Sequence, residues 1–226
     1  MKQLFITATD TDAGKTVFAS ALIRELTKQY RVGAYKPLSA GCEDIDGNLI
    51  NDDAYQLQQA ANIGQSVQSV NPIAYQEAIA PHIAAAKYGD TLDIECINQG
   101  LSAIKYLKPE IIITEGAGGW RLPLGDDRYL SDFVRQQSMD VILVVGMKLG
   151  CLNHALLTYQ AIKADGLNVI GWVANQISEH PMAYHQENIA HLSLSINAPL
   201  LATIPYLNEP NQAGQFIELS KLNCTH

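Results

Sequence analysis

The chain is poor in positive charge. Fifteen Lys and Arg residues stand against 23 Asp and Glu among 226 residues, for a net charge of -8. The basic residues form no cluster, whereas a nucleic-acid binder carries a basic face. Cysteine is sparse as well. Cys42, Cys96, Cys151 and Cys224 lie far apart with no C-x-x-C pair, which argues against a zinc ribbon or a dithiol redox motif. Free thiols in a reducing cytosol are the expectation, and with them a cytoplasmic protein. No apolar run approaches the ~18 residues of a membrane span. The first apolar strand starts almost at Met1, which leaves no room for a signal peptide. Repeats, low-complexity tracts and linkers are also missing, so residues 1–226 read as a single domain.

What is present is a series of short apolar runs rich in β-branched residues, at 3–8, 31–35, 110–114, 140–145, 168–174 and 200–204. They do not alternate with polar residues. Continuous apolar runs suit strands buried on both faces, as in a parallel sheet. Segments with helical periodicity lie between them, at 15–30, 94–107, 152–164 and 181–192. Strand and helix in alternation predict an α/β fold, a mostly parallel sheet flanked by helices on both faces. Ligands of such sheets bind at the carboxyl ends of the strands.

The first strand leads into Ala8-Thr9-Asp10-Thr11-Asp12-Ala13-Gly14-Lys15-Thr16. This matches the phosphate loop G-x-x-x-x-G-K-[ST] with Ala8 in the first glycine position, and makes the fold a P-loop NTPase type. Backbone N–H groups at a helix N-terminus satisfy phosphate oxygens. Lys15 would neutralise β- and γ-phosphate charge, and the Thr16 hydroxyl would bind Mg²⁺. No N-K-x-D guanine motif appears; the strand VIGWVAN ends in Asn175-Gln176. Asn175 suits either a purine edge, adenine before guanine, or a cap on the next element.

Three further residues stand at strand or helix ends. The strand in IIITEGAGG ends in Glu115, the position of a carboxylate that reaches Mg²⁺; a plain strand-to-loop turn is the alternative. Asp53 falls at a helix start, as N-cap or as a third oxygen ligand. Lys36 leaves the end of RVGAYKP, placed either to meet a transferred phosphoryl group or to lie in solvent. His82 and His154 lack metal-ligand spacing.

Taken together, TDTDAGKT, YKPLSAG, NDDA, NP…APHIAA, TEGAGGW, VILVVGMKLGCLNHALLT, GWVAN and IPYL resemble the dethiobiotin synthetase family, from residue 9 to residue 207. The resemblance implies a homodimeric P-loop fold and a reaction. An amine of 7,8-diaminopelargonate captures CO₂ as a carbamate, ATP phosphorylates it, and the second amine closes the ureido ring. It further implies that Lys15, Lys36 and Thr11 serve catalysis, with Lys36 in the family's active-site position. Thr16, Asp53 and Glu115 would hold Mg²⁺. Residues Asp12, Ala13, Gly14, Lys15, Thr16 and Val17 would cradle the phosphates, with Glu115, Gly116, Ala117 and Gly118 beside the nucleotide. Asn175, Gln176, Pro205, Tyr206 and Leu207 would frame the adenine. Thr11, Lys36 and the Ala40 position would contact the diamine, and Asp10 at the loop tip is a further candidate for an ammonium. Gly150, Cys151 and Asn153, at a helix N-terminus, would take the substrate carboxylate, with Asn153 reaching it from the partner subunit.

One position departs from the family pattern. Ala40 replaces a usual Ser or Thr, and the hydroxyl sits one place earlier at Ser39. A partitioning ATPase of the same P-loop branch is the competing class. Those proteins usually carry an additional lysine near the loop start, where this chain has Thr9-Asp10-Thr11. A cobalt-ring amidoligase would need a longer chain.

Overall fold

The computed structural model describes residues 1–222. Six strands form one all-parallel sheet: β1 (Lys2–Ala8), β2 (Val32–Tyr35), β3 (Ile111–Glu115), β4 (Asp140–Gly146), β5 (Val169–Asn175) and β6 (Leu200–Ile204). Their spatial order is β6-β5-β4-β1-β3-β2. Among the described residues eight α-helices connect or cover them: α1 (Lys15–Leu26), α2 (Asp52–Ala60), α3 (Val67–Val70), α4 (Pro81–Tyr88), α5 (Ile94–Tyr106), α6 (Leu130–Gln136), α7 (Cys151–Ala164) and α8 (His185–Ser195).

The continuous apolar strands face two cores. On β1, Leu4 and Ile6 pack with Phe18 and Leu22 of α1, while Phe5 packs on the opposite face with Tyr35, Trp120 and Phe133. On β4, Ile142 and Val144 join the first core and Leu143 and Val145 the second. A strand inside a parallel sheet has no solvated face, so its period of two separates two apolar sets rather than apolar from polar. Burying a side chain of this size contributes ~1.5–3 kcal/mol, which is why these runs hold the sheet together.

Element ends differ modestly from the sequence reading. The helix expected over 15–30 stops at Leu26, with Thr27 as its C-cap. The one expected over 181–192 begins at His185 and runs on to Ser195, because Tyr184 takes a left-handed conformation (φ 54°) that starts it late. The segment from 211 onward contains 3₁₀ turns at Pro210–Phe216 and Leu219–Lys221; residues 223–226, with Cys224, lie outside the described residues. Two short antiparallel ribbons escaped the sequence reading, Glu43–Ile45 with Asn48–Ile50 and Pro123–Gly125 with Arg128–Tyr129. Each is too short to show a period. Among the described residues no helix is long and apolar enough to cross a membrane.

Candidate active site

The carboxyl ends of β1, β2 and β3 open into a cavity of about 780 Å³. The phosphate loop forms its floor. Gly14 caps α1 in the left-handed region (φ 87°) without a side-chain hydrogen bond. The first bond inside the helix runs from Phe18 N to Gly14 O. The N–H groups of Lys15, Thr16 and Val17 therefore have no partner in the helix, as at any helix start, and form an anion-binding set. Thr11, Asp12, Gly14, Lys15, Thr16 and Val17 all line the cavity. Ala13 does not; it is fully buried beneath the loop.

Lys15 and Lys36 share this cavity. Both are nearly enclosed, with 8% and 3% of their surface exposed. Burial outweighs the pull of Glu115 and lowers the pKa of Lys15 below the ordinary lysine value. Its ammonium donates to the Asp10 carbonyl at 3.3 Å. Lys36 is the opposite case. Burial alone would lower its pKa, but the charges of Glu115 and Asp53 outweigh burial and raise it. The Lys36 Nζ lies 2.6 Å from Glu115 Oε1 and 3.2 Å from Asp53 Oδ2. The solvent-facing alternative for Lys36 is thereby excluded, because an ammonium with two carboxylates inside a wall is not a surface charge.

Glu115 ends β3 with no exposed surface. Its Oε1 also accepts from the Thr16 hydroxyl at 3.0 Å, while Oε2 is buried with no partner among the described residues. Asp53 does not cap its helix. Asn51 does, its Oδ1 accepting from Ala54 N at 3.2 Å, so the Asp53 carboxylate is left to meet Lys36. The partnerless oxygen of Glu115, the Thr16 hydroxyl and the half-exposed Asp53 are oxygen donors beside the phosphate loop. They suit Mg²⁺, which takes a few protein oxygens and completes its shell with water and phosphate. Among the described residues no group of three or more His, Cys, Asp and Glu forms a metal site by itself, so a metal here would depend on a bound phosphate for further ligands.

Ala117 and Gly118 line the cavity, but Gly116 does not. Gly116 lies against Phe5, where a Cβ would come within 2.8 Å of the ring. Ala40 lines the cavity too. Ser39 lines it as well, and its hydroxyl donates to Asn71 Oδ1 at 2.6 Å. Asn71 in turn donates to the Lys36 carbonyl at 2.8 Å, so the buried serine and asparagine brace the lysine-bearing segment. No local pattern in the sequence marks Asn71 for this. The far wall, Ile79, Ala80 and Pro81 with Leu122, is apolar.

A smaller cleft of about 170 Å³ adjoins the loop. Asn175, Gln176, Pro205, Tyr206 and Leu207 line it with Gly14 and Val17. Asn175 caps no following element. Its Nδ2 donates to the Ala13 carbonyl at 2.9 Å, and Gln176 Nε2 turns to the Ser178 and Glu179 carbonyls. Asp10 has one carboxylate oxygen paired, while its Oδ1 has no hydrogen-bond partner among the described residues. Its Oδ2 pairs with Lys148 Nζ at 2.6 Å. Gly150, Cys151 and Asn153 line neither cleft. They start α7 at the end of β4, with Gly150 left-handed (φ 94°), Cys151 buried and Asn153 exposed. One chain does not bring them to Lys36.

The family model for the AAA domain matches residues 2–213. An "ATP-dependent dethiobiotin synthetase BioD" of Alteromonas mediterranea is 50% identical over 217 residues, covering 91% of this chain and 93% of that protein. One of Aeromonas hydrophila is 46% identical over 214 residues, covering 94% of each. The solved structure of the septum site-determining protein MinD complexed with Mg-ADP from Pyrococcus horikoshii has the same fold, with a TM-score of 0.57 at 17% identity over 98% of this chain and 88% of that one. The chain thus belongs to the ATP-dependent dethiobiotin synthetase family of P-loop proteins.

Proposed function

We propose that this chain carboxylates 7,8-diaminopelargonate and closes the ureido ring of dethiobiotin, consuming ATP and releasing ADP and phosphate. The observation that carries the reading is the cavity shared by Lys15 and Lys36 with an anion-binding helix start at its floor.

The residues divide the work by position. The loop N–H groups and Lys15 hold the triphosphate, and Asn175, Gln176, Pro205, Tyr206 and Leu207 enclose the base in the adjoining cleft. Thr16, Asp53 and Glu115 hold Mg²⁺, which when bound screens the charge of the β- and γ-phosphates. The diamine lies along the apolar wall with one amine near Thr11 and Lys36. That amine adds to CO₂, losing a proton, and becomes a carbamate. Lys36 steadies its negative oxygen as it attacks the γ-phosphorus and ADP leaves. The second amine then attacks the carbamoyl carbon and expels phosphate. Lysines held inside a wall stabilise charge that develops on the transferred group more than lysines in water do.

In a homodimer the helix start at Gly150 and Cys151 binds the substrate carboxylate, with Asn153 reaching it from the partner subunit, and the protein works in the cytoplasm. A partitioning ATPase finds no support in the loop, where Thr9-Asp10-Thr11 lacks the extra lysine of that class.

The test is direct. Wild-type protein incubated with 7,8-diaminopelargonate, bicarbonate, Mg²⁺ and ATP yields dethiobiotin by mass spectrometry. Folded protein that binds ATP and gives no product would falsify the reading.

A further inference from the structure

Lys36 has a second role beside its part in the reaction, as a counter-charge. Glu115 has no exposed surface, and a buried carboxylate is costly unless a counter-charge meets it. Lys36 meets it at 2.6 Å and spans to Asp53 at 3.2 Å. Lys15 does not share the task; its ammonium turns to the Asp10 carbonyl. Of the two lysines in the cavity, one balances the carboxylates and the other is left for an incoming anion.

Asp53 and Glu115, with Thr16, are also the proposed oxygen donors for Mg²⁺. Thr16 and Lys36 both occupy Glu115 Oε1. An ammonium in contact with both carboxylates repels a second cation in a site screened from water. Resting on that role for the three donors, we infer that Lys36 is the resident counter-cation of the metal site, and that uptake of a divalent ion and release of the Lys36 ammonium toward the cavity are one exchange. Without nucleotide the site keeps its lysine and takes divalent ions weakly. Lys36 becomes free for the carbamate only once the metal-bound triphosphate is in place, so the order of loading is built into the pair.

The probe is Mn²⁺, followed by electron paramagnetic resonance with no nucleotide present. Lys36→Met, which keeps the length and loses the charge, is expected to bind Mn²⁺ at least about tenfold more tightly than wild type. Lys36→Arg, which keeps the charge, stays close to wild type. The gain vanishes in the double variant Lys36→Met with Asp53→Asn. Equal affinity in Lys36→Met and wild type overturns the exchange, as does a gain that survives the loss of Asp53. Should Lys36→Met fail to fold alone, refolding on addition of Mn²⁺ but not of Na⁺ supports the inference, and no refolding with Mn²⁺ sinks it. The outcome is separable from the proposed activity. Wild type that makes dethiobiotin while Lys36→Met gains no Mn²⁺ affinity defeats the exchange alone. Wild type that makes none while the gain is seen defeats the activity alone.

Discussion

Asn175, the last residue of β5, donates its side-chain amide to the carbonyl of Ala13 at 2.9 Å, 162 positions earlier in the chain. The bond ties the phosphate loop to the strand that borders the base cleft. It also fills the space beside Gly14, where a Cβ would come within 2.0 Å of Asn175 Nδ2 in a backbone that already needs φ 87°. Gly14→Ala is therefore expected to destabilise the protein by ~1–3 kcal/mol and to weaken ATP binding. Adding Asn175→Ala relieves the collision but not the left-handed strain, so the double variant recovers only part of the loss. Thermal melts with and without ATP check this, and wild-type ATP affinity in Gly14→Ala would refute it.

The two lysines should separate cleanly. Lys36→Ala strands the buried Glu115 carboxylate and is expected to cost on the order of 3–5 kcal/mol, the usual penalty for halving a buried pair. Lys15→Ala removes a charge whose pKa burial lowers and which holds no carboxylate by direct contact, so it costs less than about 1 kcal/mol without nucleotide. Added ATP then stabilises wild type and fails to stabilise Lys15→Ala. Urea unfolding curves decide it; similar losses in the two variants would contradict the charge assignment.

Asp165 holds the loop that follows Glu115. Its Oδ2 accepts from Trp120 Nε1 at 2.8 Å and meets Arg121 Nη1 at 2.8 Å, while Oδ1 accepts from Arg121 Nη2 at 2.9 Å. Asp165→Ala leaves the enclosed Trp120 N–H without its acceptor and should cost ~1–3 kcal/mol. Because Ala117 and Gly118 line the cavity just ahead of Trp120, KM for ATP should rise more than kcat falls. A fall in kcat with KM unchanged argues that the loop does not depend on this clamp.

The cysteines differ in reactivity by burial. Cys96 is exposed, whereas Cys151 is enclosed and burial raises its thiol pKa from 9.0. The thiolate is the reactive form, and at Cys151 it appears only as the pH climbs above that ordinary value. Iodoacetamide labelling read by mass spectrometry should modify Cys96 before Cys151 near neutral pH, with Cys151 lagging until strongly alkaline conditions. Labelling of Cys151 at the rate of Cys96 near neutrality would run against this.

Much of the architecture was legible along the chain. Uninterrupted apolar runs mark strands with no wet face, and the loop from Ala8 to Thr16 marks a helix start shaped for phosphate, because both are local consequences of side-chain period and backbone geometry. The functions of single polar residues were not legible in the same way. Whether Asp53 caps its helix or meets Lys36 depends on Asn51 having taken the cap. Asp10 and Ser39 likewise meet distant groups, Lys148 and Asn71, that no local pattern foretells. A carboxylate or hydroxyl can serve as a cap, a partner or a ligand with nearly equal local energy. The choice falls to whichever distant group folding brings within about 3 Å and shields from water, and that is set only when the strands are side by side.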